Sequence, residues 1–278
     1  MKSFFVSDLH GKTDSYTKLF NFIKNERPSL VLLGGDLLPH SYLHSSFIKD
    51  FLVKNLIELK SKMQNHYPKI LLIFGNDDAK SEENDIINYA SDGLWEYIHF
   101  KTVSINNLRI SGYSFTPPSP FLLKDWEKYD VSRYVDLGCI SPEEGKRTVE
   151  ISSDEKKYST IKKDLEILFG EADVSNDIIL FHGPPHNSKL DRAALDGKFF
   201  DHIPLDVNVG SVAIRKFIET RQPKLTLHGH IHESARLTGS WKDRIGNTIC
   251  FSAAHDGKEL ALIEFDTDNL STAKRLLL

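Results

Sequence analysis

Five short stretches of this chain gather side chains that bind metals and move protons. They are Ser7-Asp8-Leu9-His10-Gly11, Gly34-Gly35-Asp36, Gly75-Asn76-Asp77-Asp78, His182-Gly183-Pro184-Pro185-His186 and His228-Gly229-His230-Ile231-His232. Carboxylate, carboxamide and imidazole groups without a thiolate suit divalent metals that take oxygen and nitrogen donors. Asp8 and His10 are two apart, as are His230 and His232, and on extended backbone such pairs point to the same side. One carboxylate can bridge two cations about 3.5–4 Å apart, and Asp36, alone on its stretch, is the candidate bridge. Two divalent cations, offset by Asp8, Asp36 and a bound hydroxide, leave about one positive charge facing an anion such as phosphate. Metal-bound water ionises near neutral pH, so hydrolysis needs no serine or cysteine nucleophile.

Each stretch follows an apolar run, and the runs must position the ligands. Residues 3–7, 30–33, 70–74, 108–113, 178–181 and 224–227 lack period-2 alternation, as expected of strands covered on both faces. Residues 15–24, 47–63 and 211–220 carry apolar side chains at helical spacing. Strand and helix alternation over the first hundred residues predicts a layered α/β fold with ligands at the C-terminal strand ends, where open sheets place their crevices. Residues 247–253 and 259–265 read as a closing strand pair joined by Asp256-Gly257. Residues 114–175, with a charged helix over 153–169, and residues 183–210 interrupt the rhythm and read as insertions over the active-site face of one domain spanning 1–278.

Composition narrows the class. The 278 residues are 40% hydrophobic and 27% charged, which is ordinary for a globular protein. No apolar run approaches the roughly 18 residues of a membrane span, and Lys2 and Asp8 leave no apolar signal core at the N-terminus. Two cysteines, Cys139 and Cys250, stand in no spaced motif, so a disulfide framework is excluded and a cytoplasmic setting is expected. A net charge of −4 gives no reason to expect bulk binding to nucleic acid.

Asp8-x-His10, Gly35-Asp36, Gly75-Asn76, His182 and Gly229-His230-x-His232 together resemble the ordered motifs of the calcineurin-like metallophosphoesterases. The resemblance implies a four-layer αββα sandwich, two mixed sheets flanked by helices, with a binuclear centre at one edge. It implies one metal held by Asp8, His10, Asp36 and His232, and a second held by Asp36, Asn76, His182 and His230. The cations are divalent, with Mn, Fe, Zn, Ni and Mg all allowed by these donors. His10 is also expected to contact the phosphate. The expected substrate is a small phosphate ester, a nucleotide among the options.

One position departs from the family pattern. Many members carry histidine after the metal-binding Asn, whereas this chain has Asp77. An ionised Asp77 would repel a phosphate dianion more than a monoanion, which favours phosphodiesters over phosphomonoesters. If Asp77 points away, His186 or His40 becomes the nearby proton source. His228 is expected behind the ligands, His255 at the surface, and His44, His66, His99 and His202 exposed or partly buried. Trp126, Tyr129 and Tyr134 either stack on a nucleobase or pack their segment onto the body. The competing readings are a nuclease of the same family and a non-catalytic scaffold, the latter opposed by the retention of every ligand histidine.

Overall fold

The computed structural model describes residues 1–40, 46–90 and 92–278; His44 lies outside them. Two six-stranded mixed sheets form the body. The first contains β1 (Lys2–Val6), β2 (Leu30–Gly34), β3 (Lys69–Ile73), β4 (Glu96–Tyr97), β13 (Ala261–Asp266) and β14 (Lys274–Leu277), in the order β14-β13-β1-β2-β3-β4. The second contains β5 (Lys101–Ile105), β6 (Leu108–Tyr113), β7 (Ile178–Phe181), β10 (Leu225–His228), β11 (Lys242–Ile245) and β12 (Thr248–Ser252), in the order β11-β12-β10-β7-β6-β5. A small exposed hairpin pairs β8 (Phe199–Phe200) with β9 (Ile203–Pro204).

Alternation along the strands decides what packs where. Phe5, Leu32, Leu71 and Ile73 of the first sheet meet Ile110, Ile178, Leu180 and Leu227 of the second in one buried cluster. The intervening Phe4, Val6, Val31, Leu33 and Leu72 face outward into a second cluster with the helices. Both faces are therefore covered, which explains why these strands read as continuous apolar runs. The flanking helices are α1 (Thr13–Glu26), α2 (Lys54–Met63), α3 (Glu83–Ala90), α4 (Ser153–Tyr158), α5 (Ile161–Phe169), α6 (Val212–Arg221) and the short α7 (Ser234–Thr238). Among the described residues no helix is long and apolar enough to cross a membrane.

Three local readings change. The closing strands do not pair: β12 joins β10 and β11, whereas β13 crosses to the first sheet and lies between β1 and β14. The true hairpin is β11–β12, turned at Gly246, whose φ of 61° favours glycine. The helix expected over 153–169 breaks at Ser159 and Thr160, which are extended, and the Thr160 hydroxyl accepts from the Lys163 amide to start α5. The helix expected over 47–63 opens with a π-helical stretch, Phe47–Val53, before α2.

The segment after β6 is held by buried polar groups. Lys124 and Glu127 form an ion pair with both side chains fully buried. Asp125 accepts from the backbone N–H groups of Lys80 and Thr148 at 2.8 Å each, tying the segment to the stretch after Asn76. Trp126 and Tyr129 are buried and serve as packing, while Tyr134 is 69% exposed.

Candidate metal centre

The ligand-bearing stretches leave β1, β2, β3, β7 and β10 at the same edge. Backbone bonds hold them in register beyond the strands: the amides of Asp8, His10 and Gly11 donate to the carbonyls of Gly35, Asp36 and Leu37 at 2.8–3.0 Å. The Gly229 amide donates to the His182 carbonyl at 2.9 Å and links the other sheet's two stretches. Asp8, His10, Asp36 and His230 all have left-handed backbone, with φ of 59°, 47°, 53° and 74°. The extended geometry expected for the two-apart pairs is therefore absent, and Asp8 and His10 converge through turns instead. Left-handed non-glycine residues of this kind concentrate where function requires strain, at about 1–3 kcal/mol each.

Three groups of donor atoms result: two that share Asp36, and a third that joins His40 and Asp77 to His10. Asp8, His10, Asp36 and His232 have ligand atoms within 4.8 Å of one another, and so do Asp36, His182 and His230. Asp36 belongs to both. Asn76 joins the second, its Oδ1 lying 3.0 Å from His182 Nε2. His230 and His232 thus go to different clusters.

The separations suit cations. His10 Nε2 and His232 Nε2 stand 3.2 Å apart, His232 Nε2 is 3.3 Å from Asp8 Oδ1, and His182 Nε2 is 3.3 Å from Asp36 Oδ2. Neighbouring ligands bound at about 2.1 Å to one octahedral ion would be about 3 Å apart. Every donor is oxygen or nitrogen, the set that divalent cations of this class take. The residues fit a pair of divalent ions.

Protein groups crowd the ligands from behind. A Cβ on Gly75 would lie 2.3 Å from Asp36 Oδ1 and 2.5 Å from His182 Cε1; one on Gly35, at φ 95°, would lie 2.6 Å from His182 Nδ1. Only glycine admits this approach. His182 Nδ1 meets the Gly34 carbonyl at 2.8 Å, leaving Nε2 toward the cluster. His228 is buried and meets the Gly183 carbonyl and Thr226 Oγ1, as a support behind the ligands.

Without cations these groups must share protons. Burial alone would raise the Asp8 and Asp36 pKa values, but His232 for the first and His182 for the second, together with the remaining imidazoles, hold both low. Burial alone would lower His182, yet Asp36 drives it up to about 10. Burial and the charge on His182 push His230 down to about 3. A cation would replace the protons in this arrangement.

Asp77 does not point away. Its Oδ2 lies 3.3 Å from His40 Nδ1 and 3.6 Å from His10 Nδ1, its Oδ1 accepts from Asn76 Nδ2 at 3.0 Å, and its amide donates to Asp36 Oδ1 at 2.9 Å. Burial and then Asp36 raise its pKa to about 6, against His40, His182 and His232. His40 stacks on His10 with ring centroids 4.5 Å apart and is otherwise exposed. His186 instead faces Asp191, with Nδ1 3.9 Å from Oδ2, and joins neither ligand cluster. His255 meets Glu259 at 3.2 Å, His66 and His202 are exposed, and His99 is partly buried.

Asp78 had no assigned role in the sequence. It is fully buried, and its carboxylate accepts from the amides of Leu37, Leu38 and Gly75 at 2.7–2.9 Å, fastening the Asp36 stretch to the Asn76 stretch. The available signal was a second carboxylate directly after Asp77.

Comparison with known proteins agrees with this geometry. A search of curated proteins returned no match. Solved structures do match. TT1561 of Thermus thermophilus is 13% identical over 99% of this chain and 98% of its own, with a TM-score of 0.57. A dimetal phosphatase from Danio rerio is 12% identical over 95% of this chain and 92% of its own, with a TM-score of 0.53. At such identity these two establish likeness of fold. A family model described as calcineurin-like phosphoesterase matches residues 1–234. With its two sheets, its shared aspartate and its oxygen and nitrogen donors, the chain belongs to the calcineurin-like phosphoesterases, hydrolases that use two divalent metals.

Proposed function

We propose that this chain is a metal-dependent phosphodiesterase, with Asp8, His10, Asp36 and His232 holding one cation and Asp36, Asn76, His182 and His230 the other. The observation that carries the preference is the Asp77 carboxylate, set between His10 and His40 at the mouth of the site. When bound, the cations supply Lewis acidity toward the phosphoryl oxygens and acidify water. The chain's own residues do the rest. Asp36 spans both clusters and fixes their separation. His10 borders the phosphate position and orients it. Asp77 and His40, within hydrogen-bonding range of each other, stand where a departing alkoxide needs a proton, whereas His186 lies outside both ligand clusters.

Charge supports the diester. A carboxylate facing a phosphomonoester dianion is repelled about twice as strongly as one facing a diester monoanion, at equal distance. A cavity of about 50 Å3 beside Asp77 has Leu38, His40, Phe47, Ile48 and Glu82 among its lining residues, and no lysine or arginine among those described. Such walls suit the second alcohol of a small diester better than a second anionic group. The free thiols of Cys139 and Cys250 fit the proposed reducing, cytoplasmic setting.

The test is hydrolysis of bis(p-nitrophenyl) phosphate beside p-nitrophenyl phosphate by manganese-loaded protein, with Asp36→Asn as blank. A kcat/KM at least tenfold higher for the diester, lost in the blank, is expected. A higher value for the monoester overturns the assignment.

A further inference from the structure

The cavity of about 50 Å3 beside Asp77 opens off the mouth of the metal centre, since Asp77 and His40 belong to both. Pro39, Phe47, Ala79 and Leu123 also line it, and each keeps part of its surface exposed, so its apolar wall is not sealed. At about 10–15 Å3 for each water-sized group, the cavity admits about three to five of them. That is the size of a short functionalised alcohol and smaller than a nucleobase.

Its charge is one-sided. Asp77 and Glu82 both line the cavity, and among the described residues no lysine or arginine does. The five residues between His40 and Ser46 contain none either. The cations nearest in sequence to Glu82 and Leu123 are committed elsewhere. Lys80 sets its ammonium over the Trp126 ring, 4.9 Å from the centroid, and Lys124 is buried in its ion pair with Glu127. Glu82 has neither an ion pair nor a side-chain hydrogen bond among the described residues, and burial and then Asp85 hold its pKa above the usual carboxylate range. A partly buried carboxylate so placed is short of a counter-ion.

We propose that this cavity receives the leaving alcohol of the substrate and that this alcohol carries an amine, so that the chain cleaves small phosphodiesters of an amino alcohol such as ethanolamine. The inference rests on the phosphodiesterase reading above and narrows it. Ethanolamine has four non-hydrogen atoms, which the cavity holds. Its ammonium meets the Glu82 carboxylate, its two methylenes lie along Phe47 and Leu123, and its oxygen stays at the Asp77 and His40 end. Water adds to phosphorus, the bond from phosphorus to the alcohol oxygen breaks, and that oxygen takes up a proton. The products are a phosphomonoester and the free amino alcohol. An acidic wall that repels a second phosphate charge thus attracts the far end of the substrate.

The test compares ethyl 2-aminoethyl phosphate with ethyl propyl phosphate on the manganese-loaded full chain, with bis(p-nitrophenyl) phosphate as the reference for the underlying reaction. A kcat/KM at least tenfold higher for the amino ester is expected, with ethanolamine and ethyl phosphate as its products. In Glu82→Gln that preference is expected to fall to threefold or less, and Glu82→Asp is expected to keep more of it. Both rates are read on the same variant, so a loss of folded protein leaves the ratio unmoved. Binding is read without turnover by calorimetric titration with ethyl 3-aminopropylphosphonate, whose methylene replaces the scissile oxygen, beside ethyl butylphosphonate. The amine is expected to bind at least tenfold more tightly. With bis(p-nitrophenyl) phosphate turned over, equal rates for the two ethyl esters, release of ethanol in place of ethanolamine, or a preference that survives Glu82→Gln would each overturn this proposal alone. No turnover of any diester would overturn the phosphodiesterase reading, and this proposal with it.

Discussion

A single carboxylate, Asp36, does the most at this site because both of its oxygens are committed. One receives the Asp77 amide at 2.9 Å, the other faces His182 at 3.3 Å, and its atoms lie in both donor clusters. Asp77 beside it is proposed to set selectivity, so its neutral isostere is expected to shift selectivity rather than abolish turnover. In Asp77→Asn, kcat/KM for the monoester is expected to rise about tenfold relative to the diester, corresponding to about 1.4 kcal/mol of relieved repulsion. An unchanged ratio in a fully metallated variant would remove Asp77 from that role. Residue types at the metal centre were legible in the sequence, because cation chemistry restricts the donors and close packing requires the glycines beside them. The pairing of Asp77 with His40 was not, since it depends on two loops meeting in space. Nor was the fastening role of Asp78, whose partners are backbone amides.

The elements position the site through their ends, and those ends are secured by polar groups where the core cannot reach. Lys124 and Glu127 are the extreme case: a fully buried pair in the segment after β6. Lys124→Met would strand a buried carboxylate and is expected to destabilise the fold by about 3–5 kcal/mol. The double replacement Lys124→Met with Glu127→Leu should recover most of that loss in urea titration. Similar destabilisation by both variants would show that the pair acts through packing alone. At α6, Asp130 accepts from the amides of Val212 and Ala213 and from the Ser211 hydroxyl. Asp130→Ala should therefore cost about 1–2 kcal/mol in the same titration, the usual scale of a lost N-terminal cap. Apolar runs revealed six of the strands, because strands covered on both faces leave that signature. Strand partners were less legible. Nothing local in Asp256-Gly257 says that the chain crosses between sheets; the open edge of β1 decides it. The break at Ser159 and Thr160 hid inside a charge pattern common to both helices.

At the scale of the whole molecule, stability and metal content are linked. His228 is buried without charge, its pKa lowered to about 4 by burial, against the Gly183 carbonyl and with help from His182. In the unfolded chain a histidine titrates near about 6.5. Above that pH neither state holds the proton, and the contribution of His228 is complete. As the pH falls, the unfolded chain takes up a proton that the folded chain refuses. Stability then drops by about 1.4 kcal/mol per unit until the folded pKa near 4 is reached. In the metal-free protein, His228→Gln should show a shallower loss of stability between pH 6.5 and pH 4 than the unsubstituted chain; parallel curves would contradict a neutral buried His228. Cations held by the folded arrangement stabilise it by mass action, so their removal should lower the melting temperature. The most direct measurement is the metal content of the purified, manganese-loaded chain beside Asp36→Asn, by atomic emission. About two ions per chain, falling to one or none in the variant, is the expected result. A single ion in the unsubstituted chain, or two retained in Asp36→Asn, would contradict a binuclear centre bridged by Asp36.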